Sequence, residues 1–303
     1  MSDGGGGHPD RVLRFTLLAL LAVALVVGLR TLPGEPPPPE PVDNRAFRLG
    51  GAGQRPVTIW AVGDGADGEQ AGRRLAAMIE RRRPARLLYL GDVYEDGTRE
   101  EFTRNYASVY GDLARRTAPT PGNHEWGRHP DGYDDYWEDV TGHPTPPWYD
   151  FRLAGWHILS LNSEAPHGED SEQVRWLRRR VAGSGDCRLA FWHRPLMSAG
   201  KHGDSEDTLP LWAPLRGRAR IVLGGHDHNM QRFRPRDGIT QYVSGAGGRG
   251  RYAVREDDPR LAFGNDDAHG ALRIALRPGR ADLAFVRADG RVLDRSTVRC
   301  QAG

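Results

Sequence analysis

The 303-residue sequence holds only two cysteines, Cys187 and Cys300. Two thiols cannot build a disulfide framework or a cysteine-based metal site, and they leave two readings open, one bridge or two unrelated thiols. Excess charge is lacking as well: 42 lysines and arginines stand against 40 aspartates and glutamates, a formal charge of +2. That balance excludes the broad basic footprint of a nucleic-acid-binding protein, and no nucleic-acid partner is expected. The triplets Arg81-Arg82-Arg83 and Arg178-Arg179-Arg180 each close an amphipathic helical pattern, where cations suit the C-terminal dipole. No internal repeat is visible. Hydrophobic residues at 38% and charged residues at 27% are ordinary for a folded domain.

One long apolar run is present, Phe15 to Leu29, preceded by Arg11 and Arg14 and followed by Arg30. No A-x-A-like cleavage site follows it, so an uncleaved signal anchor over residues 11–30 is expected, with secretion after cleavage as the alternative. The positive-inside tendency puts residues 1–10 in the cytoplasm and the remainder outside, at a cell surface or in a periplasm. The stretch Glu35 to Pro41 is a stiff polyproline spacer within a linker over residues 31–55. The folded domain is expected over residues 56–303.

Short apolar runs frame that domain. Val57 to Gly63 ends in glycine as a buried strand does, Leu75, Met78 and Ile79 recur at helical spacing until Pro84, and Leu87 to Leu90 begins a second strand. Phe102, Tyr106, Val109, Tyr110 and Leu113 indicate another helix, and Ala118 to Pro121 a brief extended segment. Strand patterns recur at Trp148 to Leu161, Leu189 to Trp192 and Ile221 to Leu223. From Gly270 onward, turn signals at Pro278-Gly279 and Asp289-Gly290 read as antiparallel hairpins. The sum is an α/β domain with mixed sheets.

Metal-capable side chains follow these strands one after another: Asp64, then Asp92, then Asn123 and His124, then His193, then His226 and His228. Ligands of open α/β sheets bind beyond the carboxyl ends of strands, so these groups can converge there. Carboxylate, amide oxygen and imidazole together suit iron, manganese or zinc. Asp67 is more simply a turn residue than a ligand, and the glycines at 245, 247, 248 and 250 read as a flexible turn near the site. Arg194 could reach a phosphate or pair with a carboxylate. His129, His143, His157, His167 and His269 lack ligand-like context.

The order of motifs, GD at Asp64, GD at Asp92, GNHE from Gly122 to Glu125, a strand-end His193 and GHDH from Gly225 to His228, resembles the calcineurin-like metallophosphoesterase family, in particular its purple-acid-phosphatase-like branch. The stretch from His193 to Gly203 resembles the metal-histidine loop of that branch. The resemblance covers roughly Val57 to the C-terminus and implies a sandwich of two mixed β-sheets flanked by helices, with C-terminal antiparallel hairpins. It implies two metal ions, iron with iron, zinc or manganese. Asp92 would bridge them, with Asp64 and His228 on one and Asn123, His193 and His226 on the other. His124 and His202 would face the phosphate. A metal pair about 3.5 to 4 Å apart activates water and stabilises both oxygens of an in-line displacement, so hydrolysis of phosphate esters is the implied activity.

The first motif departs from the family pattern, reading Gly63-Asp64-Gly65-Ala66 with no histidine. In the purple branch a tyrosine three residues after the bridging aspartate fills that ligand place, whereas Tyr94 lies two residues after Asp92. Tyr94 is therefore either a metal ligand or a packed aromatic. Monoester hydrolysis of the acid-phosphatase kind is the leading expectation. Diester hydrolysis on the same site, or an inactive surface-anchored binding protein on this fold, are its rivals.

Overall fold

The computed structural model describes residues 55–301 apart from Asp186. The expected tail over 1–10, the anchor over 11–30 and all but the last residue of the linker over 31–55 lie outside the described residues. Among those described, no helix is long and apolar enough to cross a membrane.

The first expected strand is β1 (Val57–Val62), and its side chains alternate between two environments. Ile59 and Ala61 enter one buried cluster, while Trp60 and Val62 enter another. A strand buried on both faces is the middle of a layered structure, and its neighbours confirm this. The helix α1 (Gln70–Arg81) lays Leu75, Met78 and Ile79 against Trp60 and Val62. It ends before Arg83, which takes a left-handed φ of 47°, and Pro84.

Beside β1 lie β2 (Arg86–Tyr89) and β3 (Thr117–Pro119), all parallel. The chain then forms α2 (Tyr133–Thr141), β4 (Tyr149–Leu153), β5 (Trp156–Ser160), α3 (Glu172–Arg180), β6 (Arg188–Phe191), β7 (Ile221–Gly224), β8 (Met230–Phe233), β9 (Thr240–Ser244) and β10 (Leu261–Asn265). It closes with β11 (Gly270–Arg277), β12 (Arg280–Arg287) and β13 (Val292–Arg299). The Trp148 to Leu161 pattern is thus a hairpin, β4 and β5, turned by Ala154 and Gly155 at positive φ.

Two mixed sheets result. One runs β13-β12-β11-β1-β2-β3 and the other β10-β8-β9-β7-β6-β5-β4. Between them Ile59, Leu88 and Ile274 of the first meet Ile158, Phe191 and Leu223 of the second. Each such buried aliphatic contributes about 1.5–3 kcal/mol. Helices cover the outer faces: α1 and α2 the first sheet, α3 and the segment around Trp212 the second. The expected hairpins at the C-terminus are β11, β12 and β13, and β11 pairs antiparallel with β1 across more than 200 residues of sequence, Ile59 opposite Ile274.

One local feature differs from expectation, and a second decides between two readings the sequence left open. The helix expected over Phe102 to Leu113 is an α turn at Arg99–Glu101, a π-helical stretch at Phe102–Ala107, an α turn at Ser108–Tyr110 and a 3-10 segment at Gly111–Arg116. Aromatic packing accompanies the wider turn: Tyr106 meets Tyr89 edge-on at 4.9 Å and Trp137 at 5.1 Å. Asn105, within it, donates its amide to the Tyr94 carbonyl. Second, Cys187 and Cys300 form a disulfide, with Cα atoms 5.0 Å apart. It joins the start of β6 in one sheet to the end of β13 in the other.

Candidate metal centre

Three of the polar residues that follow strands carry left-handed backbones: Asp64 at φ 57°, Asp92 at 69° and His226 at 70°. Non-glycine residues rarely hold this conformation unless their surroundings impose it, and at sites of function they commonly do. Here the imposing bonds are visible. The buried Glu125 carboxylate accepts the N–H groups of Asp92 at 3.1 Å and Val93 at 3.2 Å. Asp64 Oδ2 accepts the His226 N–H at 2.9 Å, which ties the first sheet to the second. Gly122 lets the third loop close: a Cβ there would lie 2.1 Å from Asp92 Oδ1.

These loops bring together all seven residues expected to hold metals. Around the Tyr94 hydroxyl stand His228 Nε2 at 3.0 Å, Asp92 Oδ2 at 3.2 Å and Asp64 Oδ1 at 3.3 Å. Around His193 Nε2 stand His226 Nδ1 at 3.1 Å, Asn123 Oδ1 at 3.2 Å and Asp92 Oδ1 at 3.4 Å. Asp92 is common to both groups and offers one oxygen to each. Tyr94 therefore joins the first group despite its shifted spacing in sequence.

The donor set fits a pair of cations. His193 turns Nδ1 to the Leu90 carbonyl at 2.8 Å and His228 turns Nδ1 to the Gly250 carbonyl at 2.7 Å, which leaves each Nε2 lone pair facing the site. One phenolic proton cannot serve the three acceptors around Tyr94, and a cation among them would satisfy all. Asp64 and Asp92 are buried, and among the described residues their only ion-pair partners are histidines. Burial, then the Asp92 charge, pushes the Asp64 carboxyl well above the usual range. Burial lowers His228 to about 4 and drives His226 lower still, with His193 beside it adding to the effect. Burial and the two carboxylates hold the Tyr94 phenol protonated. Each of these costs would be offset by bound cations.

A model of the calcineurin-like phosphoesterase family matches residues 57–230, more than half of the chain. The chain belongs to that family. Among curated proteins, tartrate-resistant acid phosphatase type 5 of Mus musculus is 26% identical over 136 residues, 42% of each chain. A probable cyclic nucleotide phosphodiesterase of Synechococcus sp. is 27% identical over 205 residues, 61% of this chain and 72% of that one. The match to the acid phosphatase thus spans less than half of its length. Among solved structures, purple acid phosphatase PPD1 from yellow lupin seeds superposes with a TM-score of 0.68 at 16% identity, covering 81% of this chain and 54% of that one, a likeness of fold.

In this calcineurin-like phosphoesterase the two other expected residues stand at the mouth. His124 turns Nδ1 to the Glu95 carbonyl and keeps Nε2 3.9 Å from Asp92 Oδ2. His202 is exposed, with its ring 4.3 Å from that of His226, and partial burial lowers its pKa. Of the two readings of Arg194, the structure shows the pairing with a carboxylate: Nε meets Glu164 at 3.0 Å, while Nη1 lies 3.4 Å from His226 Nε2. Asp67 caps the Glu69 N–H, as a turn residue does.

Sequence reasoning missed several supports. Asp227, the acid within GHDH, accepts the His202 N–H at 3.0 Å and the Ser198 hydroxyl, bracing the loop after His193. Tyr252 stacks on His228, ring centroids 4.1 Å apart and 14° from parallel. Of the glycines expected to be a flexible turn, Gly245, Gly247 and Gly248 are packed, a Cβ on Gly247 lying 2.2 Å from the Gly63 carbonyl oxygen, while Gly250 is open. The motif letter Asp227 was the available signal for the first of these, and nothing local marks Tyr252.

Proposed function

We propose that this protein is a two-metal hydrolase of phosphate monoesters, with Asp64, Asp92, Tyr94 and His228 holding one ion and Asp92, Asn123, His193 and His226 the other. The observation that carries the reading is the Asp92 carboxylate, one oxygen of which faces each group of acceptors. Such a pair supplies activation of water near neutral pH and neutralises phosphoryl oxygens. A phenolate ligand favours ferric iron in the first place, with iron, zinc or manganese in the second. The chain's own residues do the rest. His124 presents Nε2 to the reacting phosphoryl group, with Nδ1 fixed on Glu95, and His202 flanks it from the opposite loop. An imidazole at either position can donate to a phosphoryl oxygen or give its proton to the departing alcohol as water adds to phosphorus.

Diester hydrolysis is the second reading, supported by the resemblance to a probable cyclic nucleotide phosphodiesterase. For location we propose an uncleaved anchor over residues 11–30 that holds the domain outside the cytoplasm. The Cys187–Cys300 bridge supports this, because such bonds persist in oxidising compartments.

The deciding experiment is metal analysis of the full chain, coupled to turnover of para-nitrophenyl phosphate and bis-para-nitrophenyl phosphate, with Asp92→Asn and His124→Ala as controls. About two metals per chain and a preference for the monoester, lost in both variants, support the proposal. A metal-loaded protein that turns over neither ester, or an Asp92→Asn variant of normal activity, ends it.

A further inference from the structure

Lys201 is the only lysine in the chain, one among 42 basic residues. In a protein that otherwise uses arginine for every cation, its place carries information. It lies in the loop that Asp227 braces, and its Nζ stands 4.4 Å from the centre of the Tyr252 ring. That ring also stacks on His228 and meets His202 edge-on at 5.4 Å. Lys201 is exposed, and no carboxylate lies within ion-pair distance of it among the described residues. A second cation mirrors it. Arg249 places its guanidinium 4.6 Å from the Tyr94 ring centre, and its backbone N–H is held by the Asp64 carbonyl at 2.9 Å. Its ion-pair partner among the described residues is Glu95, itself 60% exposed. So open an ion pair is worth little and yields readily to a competing anion.

Both cations therefore stand one aromatic ring out from the same acceptor group, that of Asp64, Tyr94 and His228. Arg249 lies on the Tyr94 ring itself, and Lys201 on the Tyr252 ring that stacks on His228. On the other side of the site Arg194 is already bound by Glu164. A simple monoester, its single phosphoryl group engaged at the centre, leaves Lys201 and Arg249 unused, and a diester carries less charge still. We infer that Lys201 and Arg249 form a second-anion subsite, and that the preferred substrates are phosphate esters bearing a further phosphate group on the leaving portion. This rests on the hydrolase reading above and names its substrate class. Lysine suits the place because a compact ammonium on a flexible stem can follow an anion whose position varies, whereas Arg249 is pinned through its backbone.

The single ε-amine makes the test direct. Adenosine 3′,5′-bisphosphate and adenosine 3′-monophosphate differ only in the second phosphate. In wild-type metal-loaded protein, amine acylation at Lys201 is followed by mass spectrometry with each nucleotide present, and kcat/KM is measured for both. The bisphosphate should slow acylation of Lys201 several-fold more than the monophosphate does. It should also be the better substrate by about ten-fold, one charge contact's worth. That ratio should collapse toward unity in Lys201→Gln and Arg249→Gln and be largely kept in Lys201→Arg. Equal protection by the two nucleotides, or a ratio unmoved by Lys201→Gln, overturns the subsite. Should no ester be hydrolysed, including para-nitrophenyl phosphate, the hydrolase reading fails by itself, and the protection measurement still decides whether the second anion is bound.

Discussion

The Tyr94 hydroxyl lies 3.0 Å from Nε2 of His228, although 134 residues separate them in sequence. This contact makes Tyr94 part of the first acceptor group and gives it a testable consequence. Tyr94→Phe removes one oxygen without removing the ring, which packs at 4.6 Å on His124. Metal content should fall from about two ions per chain toward one, with turnover lowered at least about ten-fold while the fold persists. If the wild-type ion is ferric, the visible colour should vanish in the variant. Unchanged metal content would mean that Tyr94 is only a packed aromatic.

Gly122→Ala places a methyl group 2.1 Å from Asp92 Oδ1. The backbone at Gly122 does not need glycine for its φ of −105°, so the effect is one of space alone. The Asp92 carboxylate must move, and both metals should be lost together, with far-ultraviolet circular dichroism close to wild type. Loss of one metal only would contradict the shared role of Asp92.

The disulfide closes a loop of 113 residues between the two sheets. Replacing both cysteines, Cys187→Ala with Cys300→Ala, should lower unfolding free energy by about 2–5 kcal/mol, chiefly by freeing the unfolded chain. Denaturant titration with and without reductant checks this, since reductant should reproduce the double variant in the wild type and leave the variant unchanged.

Glu101, whose carboxylate accepts the N–H of Glu95 directly after Tyr94, gives a pH dependence. Partial burial raises its carboxyl, but the N–H groups of Glu95, Thr98 and Asp96 outweigh burial and hold the pKa below the ordinary value of 4.5. A lowered acid contributes stability that is full above its unfolded pKa and is lost as pH falls through the folded one. Glu101→Gln should therefore cost about 1–2 kcal/mol at neutral pH, with the gap from wild type closing as pH falls below the ordinary carboxylate range. Urea titrations at neutral pH and below that range test it; an equal gap at both would show that the charge is not the source.

Much of the site was legible because its residues sit in short motifs directly after strands, where spacing alone places Asp64, Asp92, Asn123, His193, His226 and His228 at strand ends. Tyr94 was legible as a candidate but not as a participant, since the bend of the chain after Asp92 decides where its ring points. The strands β8, β9 and β10 were not read. β8 buries the polar Gln231, whose amide binds Ser198 and Asn229, so the usual apolar signature is missing. The pairing of β1 with β11 and the union of Cys187 with Cys300 are long-range facts, and no local pattern encodes them. The rim formed by Lys201, Arg249 and Tyr252 was invisible for the same reason: a braced loop and a packed glycine turn meet only in three dimensions.

Asp64, Asp92 and Asn123 hang from one sheet, His193, His226 and His228 from the other, with the disulfide clasping the pair elsewhere. On the proposed ligand set, metal occupancy would be a gauge of how well the two sheets are docked, because neither sheet alone carries all of the proposed ligands. Substitutions in the apolar layer between the two sheets, at Ile59 or Ile274 for example, should weaken metal retention before they unfold the protein. Saturating metal should in turn rescue them, so that the ions act as a thermodynamic rivet whose grip reports on the core.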